Sequence, residues 1–273
     1  MAKKSIQTRI FLGSVMIAVL AGLFVLDWFV GNGLIIKIVL AAISIPAILE
    51  ITNLAYQHEC KPLTPIMLIG TILLIFLPFK SIEITAILLF TIVAAQMFRK
   101  ETKGAFTNIA WSLFGIIYIG LFLSFITSIR IDHGIGPVIL LVAATKASDI
   151  GAYFTGMALG KHKLIPWLSP GKTIEGLFGA VIFSIVVTIS ICKSGIIKYD
   201  SVPADLNLPL LILLGMGFAL VGHLGDLAES LLKRDAGAKD SAHLVPEFGG
   251  VLDLIDSILP NGFMLYLILK YVA

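Results

Sequence analysis

The sequence has little charge and almost no cysteine. Charged residues make up 14% of the chain and cysteines number two, whereas hydrophobic residues make up 58%. This composition excludes an ordinary soluble domain. Two cysteines that lie in no metal-type spacing exclude a disulfide framework and a cysteine zinc site. The net charge of +3 says little by itself, and we expect no nucleic-acid partner.

Familiar catalytic motifs are missing as well. There is no His-Glu-x-x-His, no Gly-x-Ser-x-Gly and no candidate cysteine nucleophile. Gly171-Lys172-Thr173 is similar to the end of a P-loop, but Pro166 stands where that motif needs glycine, and we expect no strand before it. We interpret Ser169–Thr173 as a turn that leads into a helix, with Glu175 in its first turn. Such a turn can hold phosphate; simple helix capping is the alternative.

Long apolar runs dominate the chain, and most are long enough to cross a bilayer. We count nine: 10–30, 34–52, 65–79, 84–98, 109–129, 137–159, 174–192, 208–227 and 255–273. The third and fourth are short. We predict an all-α, polytopic integral membrane protein of about nine transmembrane helices. Residues 1–136 would be scaffold helices and residues 137–273 the catalytic region of one integrated membrane domain, with a polar active-site cavity facing the cytoplasm.

The distribution of basic residues predicts the orientation. If the N-terminus is cytoplasmic, nine spans place the C-terminus outside. Of the 20 lysines and arginines, two lie within spans and five in outer segments, which leaves thirteen inside. The outer five are Lys80, Arg130, Lys193, Lys198 and Lys270. This asymmetry follows the positive-inside tendency, so the N-terminus and the stretch His223–Ser257 should face the cytoplasm. We expect a multi-pass protein of the inner (plasma) membrane.

Polar residues are concentrated between His223 and Ser257. A charge at the centre of a membrane helix costs roughly 2.5–3.5 kcal/mol on insertion scales, so acids beside apolar spans indicate function. His223, Asp226, Ser230 and Lys233 are spaced so that they share one face of a helix over 220–234. The alternative is a solvated helix end with an internal salt bridge.

Two further places combine acids with glycine. Gly249-Gly250 precedes the last helix, whose first amides would form an anion site, with Asp253 and Asp256 one turn apart. Capping of that helix is the alternative for both acids. Asp149 lies within a span one turn after Lys146, and a buried Lys–Asp pair is the alternative there. Asp149, Asp226 and Asp253 can hold a hard cation such as Mg²⁺ together with substrate phosphates.

The spacing of these residues resembles the signature of the phosphatidate cytidylyltransferases (CDP-diacylglycerol synthases). That pattern reads S-x-x-K-R-x4-K-D followed by P-x-H-G-G-x-x-D-R-x-D. The matching residues are Ser230, Lys233, Arg234, Lys239, Asp240, Pro246, Gly249, Gly250 and Asp253. The stretches Gly225–Leu227, Ser169–Gly176 and Asp149–Tyr153 are similar to the same family. Phe248 and Leu254 stand where the family has histidine and arginine.

The resemblance implies that CTP and phosphatidic acid in the bilayer give CDP-diacylglycerol and pyrophosphate, for phospholipid biosynthesis. It implies Mg²⁺ and a second, monovalent cation such as K⁺, and it suggests a homodimer. Asp226, Asp253 and Asp149 would bind metal, and Asp226, Asp253, Lys233, Arg234 and Lys239 would be catalytic. The substrate-binding set would be Ser169, Lys172, Thr173, Glu175, Ser230, Asp240, Gly249 and Gly250.

Three other readings stay open. Acids and lysines within a membrane also suit a transporter or channel, although the polar groups gather at one membrane face and no inverted repeat is visible. A CDP-alcohol phosphatidyltransferase would need a D-x2-D-G-x2-A-R motif, which is missing. A non-catalytic relative is the third reading, and Phe248 and Leu254 motivate it.

The orientation can be tested by labelling from each side of the membrane. In a background with Cys60 and Cys192 replaced by serine, a cysteine at Ser241 should react with an impermeant maleimide only from the cytoplasmic side. A second cysteine, at Lys198, serves as the matched outer position. Labelling of the Ser241 position from outside alone would reverse the predicted topology.

Overall fold

The computed structural model describes residues 15, 18–194, 207–237 and 250–271. The first half of the chain contains helices α1 (Ala18–Val30), α2 (Leu34–Gln57), α3 (Thr64–Phe76), α4 (Ser81–Phe98), α5 (Ala105–Gly115) and α6 (Phe122–His133). A 3₁₀ turn at Pro78–Lys80 precedes α4, and a π-helical segment at Ile116–Leu121 joins α5 to α6. These elements confirm that the apolar runs are helices.

The second half contains α7 (Ile135–Leu159), α8 (Ile174–Lys193), α9 (Leu208–Asp235), α10 (Leu252–Ile255) and α11 (Ile258–Tyr271). Gly134, between α6 and α7, has φ of 79° and ψ of −172°. That conformation disfavours side chains other than glycine, so the boundary between these two helices is set by this residue.

Seven helical segments are long and apolar enough to cross a membrane, among the residues that the structure describes. The shorter apolar helices α1 and α3 bring the described apolar segments to the nine that the sequence predicts. The prediction that the fourth apolar run, 84–98, is short was wrong. The 3₁₀ turn extends it to a 21-residue segment, Pro78–Phe98. The chain is an all-α, polytopic membrane protein.

One small hairpin interrupts the helices, and here the sequence interpretation was wrong. Strands β1 (Lys163–Ile165) and β2 (Ser169–Thr173) pair antiparallel, with Lys163 opposite Thr173 and Ile165 opposite Ser169. Ser169–Thr173 is therefore a strand and not only a turn, and a strand does precede it. Proline and glycine disfavour sheet interiors, but both strands of a two-stranded hairpin are edges, where Pro170 is tolerated.

The chain forms two compact units. The first comprises Met1–Thr127 and Ala236–Leu254, and the second comprises Ser128–Asp235 and Ile255–Ala273. In the first unit, α2, α3, α5 and the π segment pack together around buried side chains such as Ile48, Ile51 and Met67. In the second unit, α8 packs between α7 and α9, and α11 packs on α7 and α9. The boundary predicted at residue 136 stays a prediction.

Glycines bring α7 and α8 into close contact. A Cβ atom at Gly151 would lie 2.6 Å from the carbonyl oxygen of Gly179 and 2.7 Å from Cβ of Phe183. The same kind of approach joins α8 to α9, since a Cβ at Gly215 would lie 2.6 Å from Cα of Ile185. Small residues at such crossings let helix backbones pack directly.

Replacing Gly151 with alanine should therefore destabilise the second unit. Overpacking of this kind typically costs about 1–3 kcal/mol, and a backbone oxygen cannot rotate away. Gly22→Ala is the matched control, because nothing lies within 4 Å of a Cβ at Gly22. Thermal unfolding in detergent should give a lower Tm for Gly151→Ala and an unchanged or higher Tm for Gly22→Ala. Equal Tm values for both variants would contradict the close crossing.

Candidate active site

Helix α9 presents the polar face that its residue spacing predicts. The helix runs unbroken from Leu208 to Asp235, and its side chains bond along this face. Ser230 Oγ donates to Asp226 Oδ1 at 3.5 Å, while Lys233 Nζ lies 3.3 Å from Glu229 Oε1. The Asp226 side chain is 42% exposed. This carboxylate therefore remains accessible, although it lies on a helix apolar enough to span a membrane.

The hairpin carries a lysine to this face. Lys172, on β2, places its Nζ 2.8 Å from Asp226 Oδ2. The ion pair joins two stretches that the sequence analysis singled out separately, and the chain between them includes the whole of α8. Lys172 is largely buried, with a side-chain exposure of 16%. A lysine in such a position needs its carboxylate partner to remain charged at acceptable cost.

A second acid approaches from α7. Lys146 Nζ and Asp149 Oδ2 are 3.0 Å apart, with side chains 37% and 41% exposed. The Lys–Asp pair considered as the alternative reading thus exists, but it is open and not buried. Ser257 Oγ donates to Asp149 Oδ2 at 3.5 Å. This contact brings the start of α11 to the same group of polar side chains.

The second unit contains two deeply buried acids, Asp256 and Glu229, that the predicted site does not include. Asp256 is 4% exposed, and its Oδ1 accepts the backbone N–H of Ser257 at 2.5 Å and the Ser257 hydroxyl at 3.0 Å. Glu229, on α9, is 1% exposed. The available signal was spacing, because Glu229 lies three residues after Asp226 and Asp256 three residues after Asp253.

Asparagine and glycine fix the helices that bear these groups. Asn261 Nδ2, on α11, donates to Thr145 Oγ1 on α7 and to the Phe218 carbonyl on α9, each at 2.9 Å. Asn261 is fully buried. A Cβ at Gly225 would lie 2.7 Å from Cγ of Pro260, so α9 passes directly against the start of α11. Three helices are thereby held together beside Asp149 and Asp226.

Two predicted substrate-binding residues hold the hairpin in place. Thr173 Oγ1 accepts the Gly176 N–H at 3.1 Å and caps α8. Glu175 accepts the backbone N–H groups of Lys161 and His162, at 3.1 and 3.2 Å, and lies 2.6 Å from His162 Nδ1. Capping, the alternative reading of this segment, therefore describes Thr173, whereas Glu175 binds the residues that precede β1. Their predicted contact with substrate stays a prediction.

For the remaining predicted site residues, the structure gives a position in the fold or no description. Arg234 is exposed in the last turn of α9, and Ser169 opens β2. Lys239, Asp240 and Gly249 lie outside the described residues, as do Pro246 and Phe248. Asp253 belongs to the first unit and Asp226 to the second, so their predicted convergence stays a prediction.

The backbone amides at the start of α10 are hydrogen-bonded, whereas the sequence analysis expected them to be free to bind an anion. The Gly250 N–H donates to Asp253 Oδ2 at 2.8 Å. The N–H groups of Val251 and Leu252 donate to Glu50 Oε1 and Oε2, at 2.8 and 2.9 Å. The anion site expected from free amides after Gly250 is thus filled by carboxylates of the chain itself. A phosphate would have to displace them.

The carboxylate oxygens suit a magnesium ion whose coordination shell is completed by substrate. Within the described ranges, no group of three His, Cys, Asp or Glu side chains is arranged to hold a metal ion. Mg²⁺ is usually bound by one or two carboxylates together with substrate phosphates and water. Asp226 and Asp149 are hard oxygen donors, and both are about two-fifths exposed. Their chemistry suits such a partial site and not a closed protein cage.

Comparison with known proteins agrees with this chemistry. The sequence profile described as "Cytidylyltransferase family" matches residues 7–272. The chain is 36% identical over 159 residues to the phosphatidate cytidylyltransferase of Staphylococcus haemolyticus, covering 58% of each chain. It is 35% identical over 164 residues to that of Mycobacterium tuberculosis, covering 60% of this chain and 48% of the relative.

A third relative, the phosphatidate cytidylyltransferase of Haemophilus influenzae, is 40% identical over 126 residues, covering 46% of this chain and 43% of the relative. The matched regions thus span about two-fifths to three-fifths of the length of these curated relatives. The family profile, in contrast, extends over nearly the whole sequence. This chain belongs to the Cytidylyltransferase family.

Proposed function

We propose that the chain transfers a cytidylyl group from CTP to phosphatidic acid, giving CDP-diacylglycerol and pyrophosphate. The observation that carries the proposal is the Lys172–Asp226 pair at 2.8 Å. It unites two stretches that resemble the phosphatidate cytidylyltransferases and places a cation beside an accessible carboxylate. The names of the three relatives support the same reaction and the same substrates.

The reaction needs no protein nucleophile. A phosphate monoester has a second pKa of about 6, so its oxygens are anionic at neutral pH. One such oxygen attacks the α-phosphorus of CTP and forms a new P–O bond. The bond between the α-phosphorus and the oxygen bridging it to the β-phosphorus breaks, and pyrophosphate leaves. The chain has to bring two anions together and stabilise the charge that develops on the leaving group.

Several charged side chains of the chain suit these tasks. Lys172 and Lys146 each lie about 3 Å from a carboxylate, which compensates their charge and restricts the direction of the side chain. Lys233 and Arg234 lie in the last turn of α9, the helix that bears Asp226. Bound Mg²⁺ would supply further positive charge to the phosphate oxygens. Asp226, Asp149 and Asp253 are the residues that we propose would hold it, with K⁺ as a second cation.

Placement at the membrane follows from the lipid substrate. We propose that the N-terminus faces the cytoplasm and that the site opens at the inner surface of the plasma membrane, where CTP is available. The excess of basic residues in the predicted inner segments supports this orientation. A homodimer, suggested by the family resemblance, is part of the same proposal. A transporter would instead require charged groups across the membrane and net movement of solute.

The decisive experiment is pyrophosphate release by the purified chain in detergent, with CTP, phosphatidate and Mg²⁺. Each component should be required, and ATP, GTP and UTP should be tested in place of CTP. Pyrophosphate release that does not depend on phosphatidate would rule out phosphatidate as the acceptor of the cytidylyl group. Transport of an ion or solute by reconstituted vesicles, without any pyrophosphate release, would favour the transporter.

Replacing Asp226 with asparagine should nearly abolish this turnover, because the change removes both a metal donor and the partner of Lys172. Asp235→Asn is the matched control, since Asp235 is exposed at the end of the same helix. Initial rates at saturating substrate measure the effect. If Asp226→Asn kept more than about a tenth of wild-type turnover, a barrier change below roughly 1.4 kcal/mol, the ligand role would be wrong.

We expect some of the cationic residues to bind CTP and others to bind phosphatidate. We expect alanine variants of Lys172, Lys233, Arg234 and Lys239 to raise KM selectively, at least one for CTP and another for phosphatidate. Arg234→Lys should also lose activity if the guanidinium grips phosphate through two donors, which lysine cannot do. Lys163→Ala, at an exposed position on β1, is the control. Wild-type KM values in all four variants would refute the phosphate contacts.

A further inference from the structure

Helix α2 belongs to the part of the chain that sequence reasoning assigned to scaffold, yet it bears a deeply buried acid. Glu50 is 1% exposed and lies on a helix long and apolar enough to cross a membrane. Its two carboxylate oxygens each accept one backbone N–H, from Val251 at 2.8 Å and from Leu252 at 2.9 Å. The partners are about two hundred residues away in sequence, within the same compact unit.

These two bonds fix the residues on the N-terminal side of Asp253. Leu252 is the first residue of α10, and Asp253 follows it directly. Asp253 Oδ2 turns back to accept the Gly250 N–H at 2.8 Å. Three consecutive amides, from Gly250 to Leu252, therefore donate to carboxylates. The direction of the Asp253 side chain depends on this turn, and Glu50 holds two of its three amides.

We infer that Glu50 is a positioning residue for Asp253, holding the start of α10 so that the Asp253 carboxylate is presented to a divalent cation. The inference rests on the proposed function, in which Asp253 is a metal ligand. The residue type fits the task, because the two N–H groups donate to two different oxygen atoms. A carboxylate supplies both, whereas the amide of glutamine supplies one acceptor and sets its own NH₂ group against the second donor.

The first measurement is hydrogen–deuterium exchange of the metal-free protein. In Glu50→Gln and Glu50→Ala, a peptide covering residues 250–255 should exchange at least about tenfold faster than in the wild type. Asp27→Asn is the matched control, because Asp27 is also a fully buried acid that accepts a helix-start amide, that of Ile36 at 3.2 Å. The control should leave exchange in residues 250–255 unchanged.

The second measurement is calorimetric titration with Mg²⁺ alone. Loss of a residue that orients a metal ligand typically weakens metal binding about 10–100-fold. We expect a loss of at least about tenfold in Glu50→Gln and in Asp253→Asn, but not in Asp27→Asn, even where the Tm of the control falls as far. Unchanged Mg²⁺ affinity in Glu50→Gln, with only a lower Tm, would reduce Glu50 to a stabilising contact and overturn the inference.

Failure of the proposed reaction can be told apart from failure of this inference. A wild type that binds Mg²⁺ but releases no pyrophosphate from CTP and phosphatidate would reject the reaction. Weaker Mg²⁺ binding in both Glu50→Gln and Asp253→Asn would still support the positioning role. Wild-type Mg²⁺ affinity in Asp253→Asn would instead remove the ligand that Glu50 is inferred to position, and would overturn the inference whatever the activity.

Discussion

A charged group inside an apolar helical bundle must have a partner of opposite charge or a set of hydrogen bonds, and this requirement organises both units. Unpaired burial of a carboxylate or ammonium is far more costly than burial of a satisfied pair. Lys172 pairs with Asp226, Lys146 with Asp149 and Lys233 with Glu229. Glu50 uses backbone amides for the same purpose. Each pairing also ties together segments that are distant in sequence or fixes a side chain on its helix.

Glycine makes these pairings geometrically possible in the second unit. Direct backbone contact at Gly151 and Gly179 brings α7 onto α8, and contact at Gly215 brings α9 onto α8. The hairpin precedes α8 directly, so the same packing sets where β2 can carry Lys172. Thr173 and Glu175 then secure the hairpin to the first turn of α8. The ion pair at Asp226 is thus the end of a series of steric and hydrogen-bonding constraints.

Much of this arrangement could be predicted from the sequence, because membrane helices carry a strong signal. Apolar runs gave the helices, and the spacing of Asp226, Ser230 and Lys233 gave one polar face. The hairpin could not be predicted, since proline and glycine are depleted in strands and Ser-Pro-Gly-Lys-Thr becomes a strand by pairing with Lys163–Ile165. Glu50 was missed for a related reason. Its partners are backbone amides, which leave no trace in the pattern of side chains.

The same pairing requirement bears on how the site receives two phosphate substrates. An unpaired cation is costly to bury in an apolar bundle. Lysines that bind phosphate there must therefore be paired with carboxylates before the substrate binds. Those carboxylates are also the hard oxygen donors that a divalent cation needs. One set of acids can therefore compensate the lysines and hold the metal. On this argument Asp226 has two tasks, and its partial exposure, unlike the burial of Glu229, leaves it open to the second.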